Sequence, residues 1–236
     1  MVTNSEYLHC KGFVAEVSRT KRSKSATIKV EDGVVKVVVP ETLVQERIVR
    51  LLDDKTRWIK EKLALHFQTR SKSNKQFVSG ECFSYLGRNY RLKVHKGQYE
   101  PIKLSRGRFN VTLRAGSDNP ELIQDSLTSW YKQRAQAKLT EKSKRYAEII
   151  GVTYASVGIK LYKSRWGSCS VGGNIDFNWH IIMAPNRIVD YVVIHELCHL
   201  IHHDHSPKYW KQVERIMPDY AECKAWLKHN AGLLVL

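Results

Sequence analysis

The sequence predicts an α+β protein in two parts. A basic module of hairpin, helices and a small antiparallel sheet spans residues 1–116, and a long helix opens a compact second module over residues 117–236. Three observations carry this division. Short β-rich runs broken by glycine dominate the first part, a helical period runs unbroken from Glu121 to Ile150, and an apolar run ends in His195-Glu196-Leu197-Cys198-His199.

Residues 26–30 and 34–39 are β-rich and flank Glu31-Asp32-Gly33, the composition of a hairpin turn that Pro40 closes. Residues 41–68 follow a helical period with a break near Asp53-Asp54, and Leu43, Ile48, Leu51, Leu52, Trp58, Ile59 and Leu63 form its apolar stripe. The Ser/Lys/Asn stretch 69–76 reads as a linker. Alternating runs from Phe77 to Leu113, spaced by Gly80, Gly87, Gly97 and Gly107, give the antiparallel sheet. Asp118-Asn119-Pro120-Glu121 starts the long helix, in which Trp130 and Tyr131 read as core residues. No repeat is visible along the chain.

In the last third, residues 159–163 and 174–179 read as strands, the second entered through the tight Gly172-Gly173 reversal. Strand 174–179, beside the His-Glu-x-x-His helix, is expected to align an extended peptide by strand addition. Arg165 and Asn178 are expected to hold an anionic group of the substrate. Two further helices, residues 207–217 and 219–227, follow, with Tyr209 and Trp210 as apolar packing anchors.

The chemistry concentrates in residues 195–205. On a helix His195 and His199 are separated by about 40° and roughly 6 Å of rise, so one metal ion reaches both imidazoles. Glu196 is placed to orient and deprotonate a metal-bound water. A third ligand is sought among His202, His203 and His205. His202 and His203 continue the same helix, and a tetrahedral ion would strain to reach them. His205 precedes Ser206-Pro207, a cap and first turn for a new helix, so a chain that leaves the first helix near Asp204 swings it back toward the metal. Three protein ligands and one open position describe a catalytic zinc, one per chain. A structural metal has no use for the general base Glu196. Cys198 lies on another helix face and reads as packing.

Charge divides unevenly. Residues 1–150 hold 30 Lys/Arg against 16 Asp/Glu, residues 151–236 only 9 against 7, so +14 of the net +16 falls in the first stretch. Clusters stand at 19–24, 70–75 and 103–114. Such a field attracts polyanions, and a nucleic-acid contact through the basic module is one expectation. No apolar run reaches a membrane span, the first residues lack a secretory pattern, and five scattered cysteines form no pair motif. A cytoplasmic enzyme is the corresponding expectation.

The segment Ser164-Arg165-Trp166-Gly167-Ser168-Cys169-Ser170, with Asn178, Ala184-Pro185, Asp190-Tyr191-Val192-Val193, His195-Glu196-Leu197-Cys198-His199-Leu200, His205-Ser206 and Tyr209-Trp210, closely resembles the YgjP-like metallopeptidase family of bacteria. The likeness extends over nearly the whole chain, through the early hairpin, Trp58-Ile59 and Tyr85-Leu86-Gly87. It implies a zincin-like second module, related in ligand layout to the SprT and Wss-type proteases that work on DNA-bound proteins. It also implies His195, His199 and His205 as zinc ligands with Glu196 as base. Asp204 stands where the family often has asparagine, and Tyr209 where it often has phenylalanine. The expected activity is peptide hydrolysis. The family has also been discussed as a nucleotide pyrophosphatase acting on uridine triphosphate, which is the alternative. A nucleic-acid-associated module with a structural metal is the third reading. The chain has no Gly-rich phosphate loop and no acidic magnesium cluster to favour the nucleotide.

Overall fold

The computed structural model describes residues 5–21, 26–31, 33–72, 75–98, 100–114 and 119–236. Arg22, Ser23 and Lys24 of the first basic cluster, Asp32 of the hairpin turn, Ser73 and Asn74 of the expected linker, and Asp118 lie outside the described residues.

The chain divides into two compact units, residues 1–74 and 75–236. In the first, β1 (Ser5–Cys10), β2 (Phe13–Thr20), β3 (Thr27–Glu31) and β4 (Val34–Pro40) form a sheet in the order β1-β2-β4-β3. The expected hairpin is β3–β4, with Glu31 opposite Val34. Strands β1 and β2 precede it, and β2 pairs β4 in parallel. Period-2 alternation puts Ala15, Val17, Val35, Val37 and Val39 on one face, where they share a core with Ile48, Leu52 and Ile59 of helices α1 (Gln45–Asp54) and α2 (Thr56–Lys72). The helical break falls at Lys55, next to the expected Asp53-Asp54. Trp58 leaves the expected stripe and is exposed. Helix α2 continues to Lys72, through the first half of the stretch expected to be a linker.

The second unit opens with β5 (Cys82–Tyr85), β6 (Arg88–Lys96), β7 (Lys103–Ser105) and β8 (Arg108–Leu113) in the order β5-β6-β8-β7. This is the strand order of the first sheet over again, a repeat in topology that the sequence does not display. The sheet is mixed where an antiparallel one was expected, because β6 and β8 at its centre run parallel. Its inner face, Phe83, Leu92, Phe109, Val111 and Leu113, shares one core with Leu127, Trp130 and Tyr131 of helix α3 (Pro120–Ile150). The compact units therefore divide at 74/75 and not at 116/117. A sheet with an apolar face cannot be assigned away from the helix that covers it. Asn119 caps α3 by accepting from Glu121 N at 2.9 Å, and the Tyr131 hydroxyl donates to Ser84 O at 2.7 Å.

A three-stranded sheet follows, β9 (Ser156–Lys160), β10 (Gly167–Cys169) and β11 (Asn174–Asn178), ordered β10-β11-β9. Its first strand ends three residues earlier than expected. A 3₁₀ turn (Trp179–Met183) leads into α4 (Asn186–Cys198), then α5 (Pro207–Ile216) and α6 (Tyr220–Asn230). The turn between β5 and β6 presses on the start of α4: Leu86 N donates to Ile182 O at 2.8 Å, and a Cβ on Gly87 would stand 2.7 Å from Pro185 Cα. Glycine at φ +78° allows both the turn and that approach. No helix among the described residues is long and apolar enough to cross a membrane.

Candidate active site

Helix α4 is buried from Ile188 to Ile194, so its position is set by packing. Lys142 of α3 and Asp190 of α4 lock the two helices through a buried ion pair at 2.5 Å. α4 ends at Cys198, earlier than the expected exit near Asp204. Its last turn is closed by Leu200 N to Leu197 O and His202 N to Cys198 O. His205 then stands directly before Ser206, whose hydroxyl accepts from Tyr209 N at 3.5 Å to cap α5.

This path brings His195, His199 and His205 together, with one ligand nitrogen from each lying within 4.8 Å of the others. His202 and His203 do not join them. His195 Nε2 and His205 Nε2 are 3.3 Å apart. The outward nitrogens fix the tautomers. His199 Nδ1 lies 3.0 Å from His202 O, an acceptor, so Nδ1 carries the proton and Nε2 the lone pair. The Tyr209 hydroxyl donates its one proton to His195 O at 3.0 Å and therefore accepts from His195 Nδ1–H at 2.7 Å. His195 Nε2 is thereby a lone pair too. Burial, with the neighbouring histidines and Lys224, pushes the His195 imidazole down to about 3, so it is held neutral.

Converging lone pairs repel unless a cation sits among them. Two nitrogens at 2.0–2.1 Å from a tetrahedral ion are roughly 3.3 Å apart, which is the Nε2–Nε2 spacing observed. The donor set fits a small divalent metal.

Glu196, on the same turn of α4, is 5% exposed. Burial pushes its carboxyl up to about 8 against the pull of the Arg165 charge. Strand β10 lies against it: a Cβ on Gly167 would stand 2.6 Å from both Cγ and Oε1 of Glu196. Only glycine leaves that carboxylate where it is.

Strand β11 has a partner on each side, so it has no edge to offer a peptide, contrary to expectation. The edges are β10 and β9, and β10 is the one that lies against Glu196. Trp166 O accepts from Asn178 N at 2.8 Å and Ser170 N donates to Asn174 O at 2.9 Å, so the even positions face β11. Alternation then turns the N–H and C=O of Gly167 and Cys169 to the open side.

Arg165 and Asn178 separate in role. Arg165 is exposed, its guanidinium 5.5 Å over the Tyr162 ring, and Tyr162 is tied to Ser168 by a 2.8 Å hydroxyl bond. Asn178 is buried, and its amide bonds Tyr162 O, Arg165 O and His180 N. It shapes the loop that carries Arg165 and leaves nothing free for an anionic group. Cys198 is buried and its thiol is pushed up to about 12 by desolvation, as befits packing. Tyr209 and Gly167 are the site residues that sequence reasoning missed.

A profile described as YgjP-like, metallopeptidase domain, matches residues 24–230. A search of curated proteins finds no match. Among solved structures, the metallopeptidase zymogen abylysin of Pyrococcus abyssi aligns at 23% identity and TM-score 0.35, over 38% of this chain and 93% of that one. The metallopeptidase zymogen jannalysin of Methanocaldococcus jannaschii aligns at 15% identity and TM-score 0.34, over 37% and 90%. With its three-histidine group, its adjacent glutamate and a profile match from residue 24 to residue 230, the chain belongs to the YgjP-like metallopeptidase family.

Proposed function

We propose that this protein is a zinc-dependent peptidase of the cytoplasm, with His195, His199 and His205 as ligands and Glu196 as general base and acid. The observation that carries the reading is the meeting of three convergent imidazoles with a buried glutamate pressed against an open strand edge. A zinc ion held by the histidines supplies a Lewis acid that polarises a carbonyl and acidifies a water. Glu196 takes the proton of the attacking water and returns it to the leaving amine nitrogen. The substrate backbone lies along β10, bonded to the outward groups of Gly167 and Cys169. Arg165 steadies an anionic group of the substrate. The cytoplasmic placement rests on the odd, scattered cysteines.

The test is turnover of peptide mixtures and of nucleoside triphosphates by the zinc-loaded protein, beside its Glu196→Gln variant. Peptide cleavage lost in the variant, with zinc content unchanged, is expected. Pyrophosphate release that the variant abolishes would replace this reading with the nucleotide one.

A further inference from the structure

Two cations belong to the elements around the site, and each lies over an aromatic ring. Arg165 lies two residues before Gly167, the residue in contact with Glu196, and sits over Tyr162. Lys224 of α6 has its ammonium 4.0 Å from the Trp210 ring centroid. Trp210 in turn stacks on His205 at 5.6 Å and 22°, and on Tyr220 at 5.2 Å and 17°.

Neither cation has a carboxylate partner among the described residues. Several other carboxylates of the second unit are engaged elsewhere. Asp176 pairs with Lys160, Asp190 with Lys142 and Asp219 with Arg187, while Asp204 accepts from Ser206 N. A ring beneath a cation orients it and leaves its N–H groups free to donate. Holding a lysine this way removes part of the side-chain entropy that a flexible ammonium otherwise loses on binding.

We propose that Arg165 and Lys224 select substrates bearing carboxylates on either side of the bond that is cut, a choice of substrate class that rests on the peptidase reading. Arg165 serves the β10 side of the scissile bond and Lys224 the α6 side. Acidic side chains and a free chain terminus both supply the required group.

The test uses the zinc-loaded Glu196→Gln protein and amidated peptides that differ only in Glu or Gln on either side of one central bond. A Gln peptide ending in a free carboxylate beside that bond is added. Each Glu is expected to tighten binding about tenfold, as a charged hydrogen bond does. Arg165→Gln should erase the preference on one side and Lys224→Gln on the other. Tight binding of the free-carboxylate peptide would make the chain end the source. Equal binding of Glu and Gln peptides, binding of none, or a preference untouched by both variants would overturn the inference. Cleavage by the wild-type protein reads separately. Cleavage without acidic preference sinks this inference alone, and acidic binding without any cleavage sinks the peptidase reading alone.

Discussion

At the scale of single residues, Tyr209 decides how His195 is presented. Its hydroxyl spends one proton on the His195 carbonyl and accepts another from Nδ1, which leaves Nε2 free for a metal. Its ring also stacks on His199 at 4.6 Å. Tyr209→Phe keeps the ring and removes the tautomer lock. Zinc affinity should fall about 10–100-fold, the usual effect of losing an outer partner of a ligand. A chelator competition gives the number, and affinity within twofold of wild type would refute the assignment. Gly167 acts on Glu196. Gly167→Ala places a methyl where the Glu196 side chain already stands, so either the strand or the carboxylate moves. A displacement of about 1 Å costs roughly 10²-fold in turnover. We expect that loss in kcat with zinc content retained; full activity would mean that Glu196 is not the base at this position. Both roles were hidden in the sequence for one reason. Tyr209 sits at an apolar helical position and Gly167 in a strand, and neither spacing reveals a contact to residues 195–196. The meeting of the three histidines was legible because they lie on one helix and the cap that follows it.

At the scale of elements, the site depends on where α4 is held, and the Lys142–Asp190 pair holds it against α3. The side chains are 7% and 9% exposed, so each charge depends on the other. Asp190→Asn leaves Lys142 charged and buried, and should cost about 3–5 kcal/mol. Adding Lys142→Met should recover much of that loss. Denaturant melts of the single and double variants measure both, and additive losses would show that the charges do not depend on each other. The helices were legible from their period and caps: α3 begins at Pro120 and ends at Ile150, where capping and periodicity place it. Strands β3 and β4 were legible as one hairpin, while β1, β2 and β10 went unassigned. What stayed hidden was long-range pairing, namely the parallel contacts β2–β4 and β6–β8 and the burial of β11 between β10 and β9. Alternation tells which face of a strand is buried; it does not tell which strand lies beside it. An open edge was therefore expected of residues 174–179, which lie between two strands, while Gly167–Cys169 forms an edge.

At the scale of the whole molecule, the two units repeat a strand order but keep separate cores. No residue of the β1–β4 core belongs to the core built around α3 and α4. The three histidines and Glu196 all lie in the second unit, so metal binding bears on that core. Free energy from a ligand that binds only the folded state accrues to the part that forms its site, by roughly 2.7 kcal/mol at a hundredfold excess over Kd. For a unit of this size that raises the melting temperature by roughly 5–10 °C. The optical signal separates the units, because Trp58 is the one tryptophan before residue 75 and Trp130, Trp166, Trp179, Trp210 and Trp226 follow it. We therefore expect calorimetry to show two transitions. Zinc removal should lower only the one that tryptophan fluorescence follows, and the other should stay within about 1 °C because its core contains no ligand. A single transition that moves as a whole on chelation would show that the separate cores unfold as one cooperative body, and that metal binding stabilises both units together.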